Sequence, residues 1–188
     1  MKVIGISASP RRSGNSEILL DRALEGAMSA GADVEKIVLN ELDFKACQEC
    51  GGCERSGVCV IRDGMSHLYK ELDKADAIIV SSPIFFASLS AQAKMMIDRF
   101  QCAWVAKYIL KNRAKAKKRK GIFISVAGSY RKDSFDNAKS IIKAFFATLD
   151  IEYADELFCG GIEKMKDIDQ DEKVLNRAYT LGVGLVKI

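Results

Sequence analysis

Four short runs of β-branched and other apolar residues punctuate the chain: Lys2 to Ser7 (KVIGIS), Asp33 to Leu39 (DVEKIVL), Asp76 to Ser82 (DAIIVSS, ending at Pro83) and Gly121 to Ala127 (GIFISVA). A fifth candidate strand is Ile151 to Phe158. Between them lie segments with apolar residues at helical spacing. Asn15 to Ala30 carries Ile18, Leu19, Ala23, Leu24 and Met28, and Ser90 to Ala106 carries Ala93, Met96, Ile97 and Phe100. A helix through Leu68 and Leu72 follows a cap at Asp63 or Ser66. Asp133 to Leu149 is a further helix, and Asp171 to Val186 closes the chain with Val174, Leu175, Ala178, Leu181 and Leu185 inward. Strands that alternate with helices of this length need right-handed crossovers and a parallel sheet covered on both faces. Five strands suit the doubly wound order 2-1-3-4-5, in which ligands collect at the carboxyl ends beside the switch point between strands 1 and 3. The loops of interest are therefore Ser7 to Asn15, Ser81 to Ser90 and Ala127 to Lys132.

With 188 residues, 48% of them apolar, the chain is expected to form a single domain over 1–188. No window approaches the roughly 20 uncharged apolar residues of a membrane helix, and the first strand runs into Ser7 rather than a cleavage site. A cytoplasmic location is expected. The net charge of +4 is unevenly placed, because Lys107 to Lys120 holds eight bases and no acid. Overall charge is thus poor support for nucleic-acid binding; that basic segment either steers an acidic protein partner or is a solvated loop.

The loop Ser7-Ala8-Ser9-Pro10-Arg11-Arg12-Ser13-Gly14-Asn15-Ser16 joins a buried strand to an amphipathic helix, where free amides and the helix dipole attract an anion. Hydroxyls of Ser9 and Ser16 and a guanidinium from Arg11 or Arg12 suit a terminal phosphate. The glycine patterns of dinucleotide and Walker loops are missing. The alternative is a solvated turn with Asn15 or Ser16 as an ordinary cap. GISASPRRSGNS resembles the phosphate loop of the flavodoxin-like NADPH-dependent FMN reductase family, and SSPIFFASLSAQAKMMIDR resembles that family's second flavin loop and following helix. By that resemblance Ser9, Arg11, Asn15 and Ser16 would hold the FMN phosphate. Pro83, Ile84, Phe85, Phe86 and Ser88 would line the isoalloxazine ring, with Gly128 and Ser129 contributing from the third loop. Tyr130 would cap the flavin or merely cover the loop. Lys94, Asp98 and Arg99 match the family's K-x-x-x-D-R helix pattern, where the spacing favours a Lys94–Asp98 ion pair, with a dimer contact as the alternative.

Cys47, Cys50, Cys53 and Cys59 form C-x2-C-x2-C-x5-C in a segment, Phe44 to Arg62, that follows neither the helical nor the strand period. Four thiols so close, in a chain without a secretory signal, point to a metal centre rather than disulfides. Two x2 spacings and a nearby fourth cysteine suit one 4Fe-4S cluster better than a two-knuckle zinc site. Four-thiolate zinc and free thiols are the alternatives. Together with the flavin loops, this cysteine-rich insertion after strand 2 resembles the iron-sulfur flavoproteins of the same family. Cys102 and Cys159 lack such spacing and read as core residues, and the single histidine, His67, reads as a surface residue.

The resemblance implies a flavodoxin-like fold and an FMN and 4Fe-4S redox protein that exchanges electrons with ferredoxin, or takes them from NAD(P)H, as a homodimer or homotetramer. One competing reading is an NAD(P)H-dependent FMN or quinone reductase without a cluster. The other is a non-enzymatic flavodoxin-like carrier with structural zinc. In each, the chemistry belongs to the cofactors rather than to catalytic side chains.

Overall fold

The computed structural model describes residues 1–112 and 118–187. The expected strands form one sheet: β1 (Lys2–Ser7), β2 (Asp33–Val38), β3 (Ala77–Phe85), β5 (Arg119–Val126) and β6 (Ile151–Cys159), in the order β2-β1-β3-β5-β6 with every neighbouring pair parallel. This is the anticipated doubly wound order, with β2 and β6 at the edges. A two-residue strand, β4 (Ser88–Leu89), is added antiparallel to the end of β3. The sequence pattern gave no sign of it, because β3 runs through Pro83 to Phe85 instead of stopping at Pro83. Pro83 lacks an N–H to donate, and its place near the strand's end makes that tolerable.

Both faces of the inner strands are buried, so their side chains alternate between two cores. On one face Val3, Ala77, Ile79, Ile122 and Ile124 meet α1 (Asn15–Ser29) and α6 (Glu172–Val186) through Leu19, Leu20, Ala23, Ala178 and Leu181. On the other, Ile4, Ile6, Ile78, Val80 and Phe123 meet α2 (Met65–Lys74), α3 (Ala91–Arg99) and α5 (Asp136–Thr148) through Leu68, Leu72, Ala93, Met96, Ile142 and Phe146. Helices α1 and α6 approach so closely that a Cβ built on Gly182 would lie 1.8 Å from the Ala23 carbonyl oxygen.

The helix expected over Ser90 to Ala106 is broken. α3 ends at Arg99, a short α4 (Gln101–Trp104) follows, and Val105–Ile109 forms a wider π turn. Phe100, at the break, is buried with its ring edge-on to Tyr69 and Phe145, at 5.0 and 5.1 Å. Seating that ring outweighs continuing one helix, and it turns Cys102 and Val105 toward the cysteine-rich segment. β5 begins at Arg119, before the apolar run, because the buried Arg119 guanidinium donates to the Leu72 carbonyl at 2.8 Å and to that of Leu149. Of the basic run, Lys107 is engaged with Asp150 (2.5 Å), while positions 113–117 lie outside the described residues. No helix among the described residues is long and apolar enough to cross a membrane.

Candidate functional site

In the parallel register Ser7 is level with Val38 and Ser81, Pro83 with Val126, and Val126 with Cys159. The loops leaving these strand ends enclose a cavity of about 250 Å³. Ser9, Arg11, Asn15 and Ser16 line one part, and Pro83, Ile84, Phe85 and Gly128 another. Eight of the residues suggested by sequence therefore meet in one place.

The polar end is built by the start of α1. Its cap position, Gly14, supplies no side-chain bond, so the first-turn amides are left to a ligand or to water. The Ser9 hydroxyl accepts from the Arg11 amide at 3.0 Å and donates to the Arg11 carbonyl at 2.9 Å, which fixes the turn. Between the two candidate arginines the structure distinguishes sharply. Arg12 pairs with Glu41 at 2.9 Å and approaches Glu17 at 3.6 Å, whereas Arg11 is exposed, lines the cavity and has no acidic partner among the described residues. The Asn15 carboxamide is committed elsewhere: it donates to the Lys164 carbonyl at 2.7 Å and accepts from the Ile168 amide at 3.3 Å. It thereby draws the 162–168 loop over the cavity, and Ile162, Glu163 and Met165 complete the wall. Those three were invisible to sequence reasoning, since a loop after the last strand carries no local motif.

A set of buried serines holds the walls in place. Ser90 donates to the Ala8 carbonyl at 2.6 Å and accepts from the Ala93 amide at 3.2 Å, capping α3; its own amide donates to Ser82 Oγ at 3.1 Å. Ser81 donates to the Ser16 carbonyl at 2.6 Å and Ser125 to that of Ser82 at 2.7 Å. Three of the expected ring contacts stand apart from the cavity wall. Phe86 sits at the tip of the β3–β4 hairpin, fully exposed, with φ of +49° followed by +56° at Ala87. A two-residue hairpin of this twist requires left-handed backbone at both positions, and that points the Phe86 side chain away. Ser88 is spent on the hairpin, and the Ser129 hydroxyl accepts from the Arg131 amide at 3.1 Å. Tyr130 is exposed and lies against Gly161.

The four clustered cysteines line a second cavity, of about 130 Å³, together with Cys102 and Arg99. It shares no lining residue with the first. The cysteine segment borders α3 and α4 through Arg99, Gln101 and Cys102. Burial raises the pKa of the Cys53 thiol, and the neighbouring thiols of Cys59, Cys47 and Cys50 add to the rise. Among the described residues, however, no three Cys, His, Asp or Glu side chains are arranged to hold a metal ion.

Arg99 organises this region. Its side chain is fully buried and donates to Lys45 O at 2.7 Å, to both oxygens of Asp63 at 2.6 and 3.1 Å, and to Ile61 O and Cys59 Sγ at 3.5 Å. Burial opposes the charge, but the bonds Arg99 donates to Asp63 and Cys59 outweigh it and hold the guanidinium protonated above its ordinary range. Asp63 also accepts from the Lys45 and Met65 amides, but the cap position of α2 is Gly64, without a side-chain bond, and Ser66 lies within the helix, so neither expected residue stands at the cap; despite burial, these bonds and Arg99 keep the Asp63 pKa below the usual carboxylate value. The sequence motif drew attention to Lys94 and Asp98, whose ion pair is present at 2.6 Å. Arg99 follows Met96 by three positions on the buried helix face, and a basic residue there was the available signal. Cys159 is in the core and His67 is exposed, as anticipated; Cys102 is buried but also borders the cysteine cavity.

Residues 1–147 match the model of the family described as NADPH-dependent FMN reductase. An iron-sulfur flavoprotein from Archaeoglobus fulgidus is 39% identical over 53% of this chain and 45% of its own length. One from Methanocaldococcus jannaschii is 41% identical over 53% of this chain and 51% of its own. The chain thus spans about half the length of these curated relatives. Among solved structures, an NAD(P)H:quinone oxidoreductase from Methanothermobacter marburgensis superposes with a TM-score of 0.72 over 98% of both chains at 21% identity, a likeness of fold. The fold is flavodoxin-like, and the chain belongs to the NADPH-dependent FMN reductase family, in the branch whose curated members are named iron-sulfur flavoproteins.

Proposed function

We propose that this chain is an FMN-dependent oxidoreductase carrying one 4Fe-4S cluster, working as a single unit over 1–188 with 44–62 as the cluster loop. The observation that carries the flavin half is the cavity at the switch point, polar at one end and apolar at the other. The amides of α1, Ser9, Ser16 and the unpaired Arg11 would take the FMN phosphate, and Pro83, Ile84, Phe85 and Gly128 would flank the ring. Asn15 acts here by holding the 162–168 loop.

The cysteine cavity supports the second cofactor through its donor set. The four cysteines border one cavity, and Arg99, which also lines it, has a buried Nε donor with no protein partner. A single zinc ion would hold its thiolates about 3.8 Å apart, given 2.3 Å bonds in a tetrahedron. A 4Fe-4S cluster several ångströms across would spread four such ligands wider. When bound, FMN would exchange one or two electrons and the cluster one, so the chain would couple donors of different electron number. The protein's share is to bind both, exclude water from the ring and tune their potentials. Because the two cavities have separate walls, exchange between the cofactors would proceed across a homodimer or homotetramer. Ferredoxin, or NAD(P)H, would be the donor.

Anaerobically purified protein tests the reading through its absorbance spectrum and its iron, sulfide, zinc and FMN contents, with Cys50→Ala as control. About four irons per chain, lost in the variant while flavin stays, is the expected result. Flavin without iron after reconstitution would leave a plain FMN or quinone reductase. Stoichiometric zinc would refute the cluster.

A further inference from the structure

We propose that Arg99 is the positioning residue of the cysteine site, presetting the fourth thiolate and raising the reduction potential of the centre held there. The inference rests on the cluster reading above. The cysteine segment has little regular structure, so something must fix its two ends. Arg99 grips both: Lys45 O just before Cys47, and Ile61 O and Asp63 just after Cys59. A planar guanidinium is suited to this, since its donors point along several fixed directions from one buried centre. The Asp63 fork holds two of them, and α3 anchors the stem at a fully buried position.

The same group also touches the ligand set itself. Nη2 donates to Cys59 Sγ at 3.5 Å, and Nε is buried in the cavity wall without a partner. A cation and N–H groups beside one thiolate stabilise the form with more negative charge, which is the reduced one. Cys59 would then be the corner at which the protein most favours the added electron. Among the described residues, no comparable basic side chain borders Cys47, Cys50 or Cys53 in the cavity wall.

The test uses full-length protein reconstituted anaerobically with iron, sulfide and FMN. Iron and flavin per chain are measured, and the cluster's midpoint is followed by EPR-monitored titration, for wild type, Arg99→Lys and Arg99→Met. Lysine retains the charge and one contact to Asp63 but cannot span Ile61 and Cys59 as well. It should keep iron at the wild-type level while the equilibrium constant for accepting the electron falls about tenfold, a shift of about 59 mV to more negative potential for a one-electron couple. Methionine should lose most of the iron and keep its flavin. A wild-type midpoint in Arg99→Lys, or full loading at an unchanged midpoint in Arg99→Met, overturns the proposal. Should both variants fail to fold, wild-type protein labelled with 15N-arginine decides: the reduced cluster should show a nitrogen hyperfine coupling, and its absence overturns the assignment. A wild type that takes up no iron refutes the cluster itself, an outcome distinct from failure at Arg99 alone.

Discussion

Replacing Ser90 by alanine removes three bonds from the junction of the phosphate loop, the ring loop and α3. Ser90 Oγ donates to the Ala8 carbonyl at 2.6 Å, accepts from the Ala93 amide at 3.2 Å and lies 3.4 Å from Ser82 Oγ, at a position with no solvent exposure. Losing a helix N-cap costs about 1 kcal/mol. Stranding a buried carbonyl at Ala8 costs about 1–3 kcal/mol more, since water cannot reach it. The Ser82 contact is long and adds little. We therefore expect about 2–4 kcal/mol of lost stability, a melting temperature about 4–16 °C lower, and weaker FMN binding because Ala8 belongs to the phosphate loop. Urea denaturation of the apoprotein, followed by flavin titration, measures both. Ser90→Thr, which keeps the hydroxyl, should recover part of the loss. A change in Ser90→Ala below about 0.5 kcal/mol would refute the claim that this hydroxyl ties the loops together.

Arg11→Ala should weaken FMN binding about 10- to 150-fold, the value of a charge-assisted bond of 1.5–3 kcal/mol, while Arg12→Ala changes it little; fluorescence quenching on titration reports both. Gly182→Ala would place a methyl 1.8 Å from the Ala23 carbonyl oxygen and force α1 and α6 apart, lowering stability by about 1–3 kcal/mol or more in chemical denaturation. Glu71 has its pKa lowered from 4.5 to about 2 by hydrogen bonds from Lys2 and Lys74. A depressed carboxylate stabilises the fold above its unfolded value and ceases to as pH falls through the folded one. Stability should therefore drop between about pH 4.5 and 2, and Glu71→Gln should flatten that limb of a pH-dependent denaturation curve.

The sheet order and both helical layers could be read from sequence because parallel strands buried on two faces leave continuous apolar runs, and amphipathic helices leave a clear period. Local signals were enough to bring Ser9, Arg11, Ser16, Pro83, Ile84 and Phe85 to one cavity. What was missed depends on contacts distant in sequence. The side chain of Asn15 reads as a phosphate ligand beside Ser16, yet its bonds go to residues some 150 positions later. Phe86 reads as a ring contact until the hairpin's left-handed backbone turns it outward. The break at Phe100 follows from a ring seated between Tyr69 and Phe145, partners on two other helices. Arg99 was noted only as the end of a motif; its role emerges from the two ends of a loop it joins, 54 and 36 positions away.

The outermost strands carry a further consequence. Among the described residues each leaves one side of its backbone without a neighbouring strand, a geometry that invites another chain to continue the sheet. Along β2 stand Asp33, Glu35 and Lys36, and along β6 Glu152, Asp155 and Glu156. Two copies meeting rim to rim would bring like carboxylates face to face and strip water from them. Self-association into a continuous sheet by that route is discouraged.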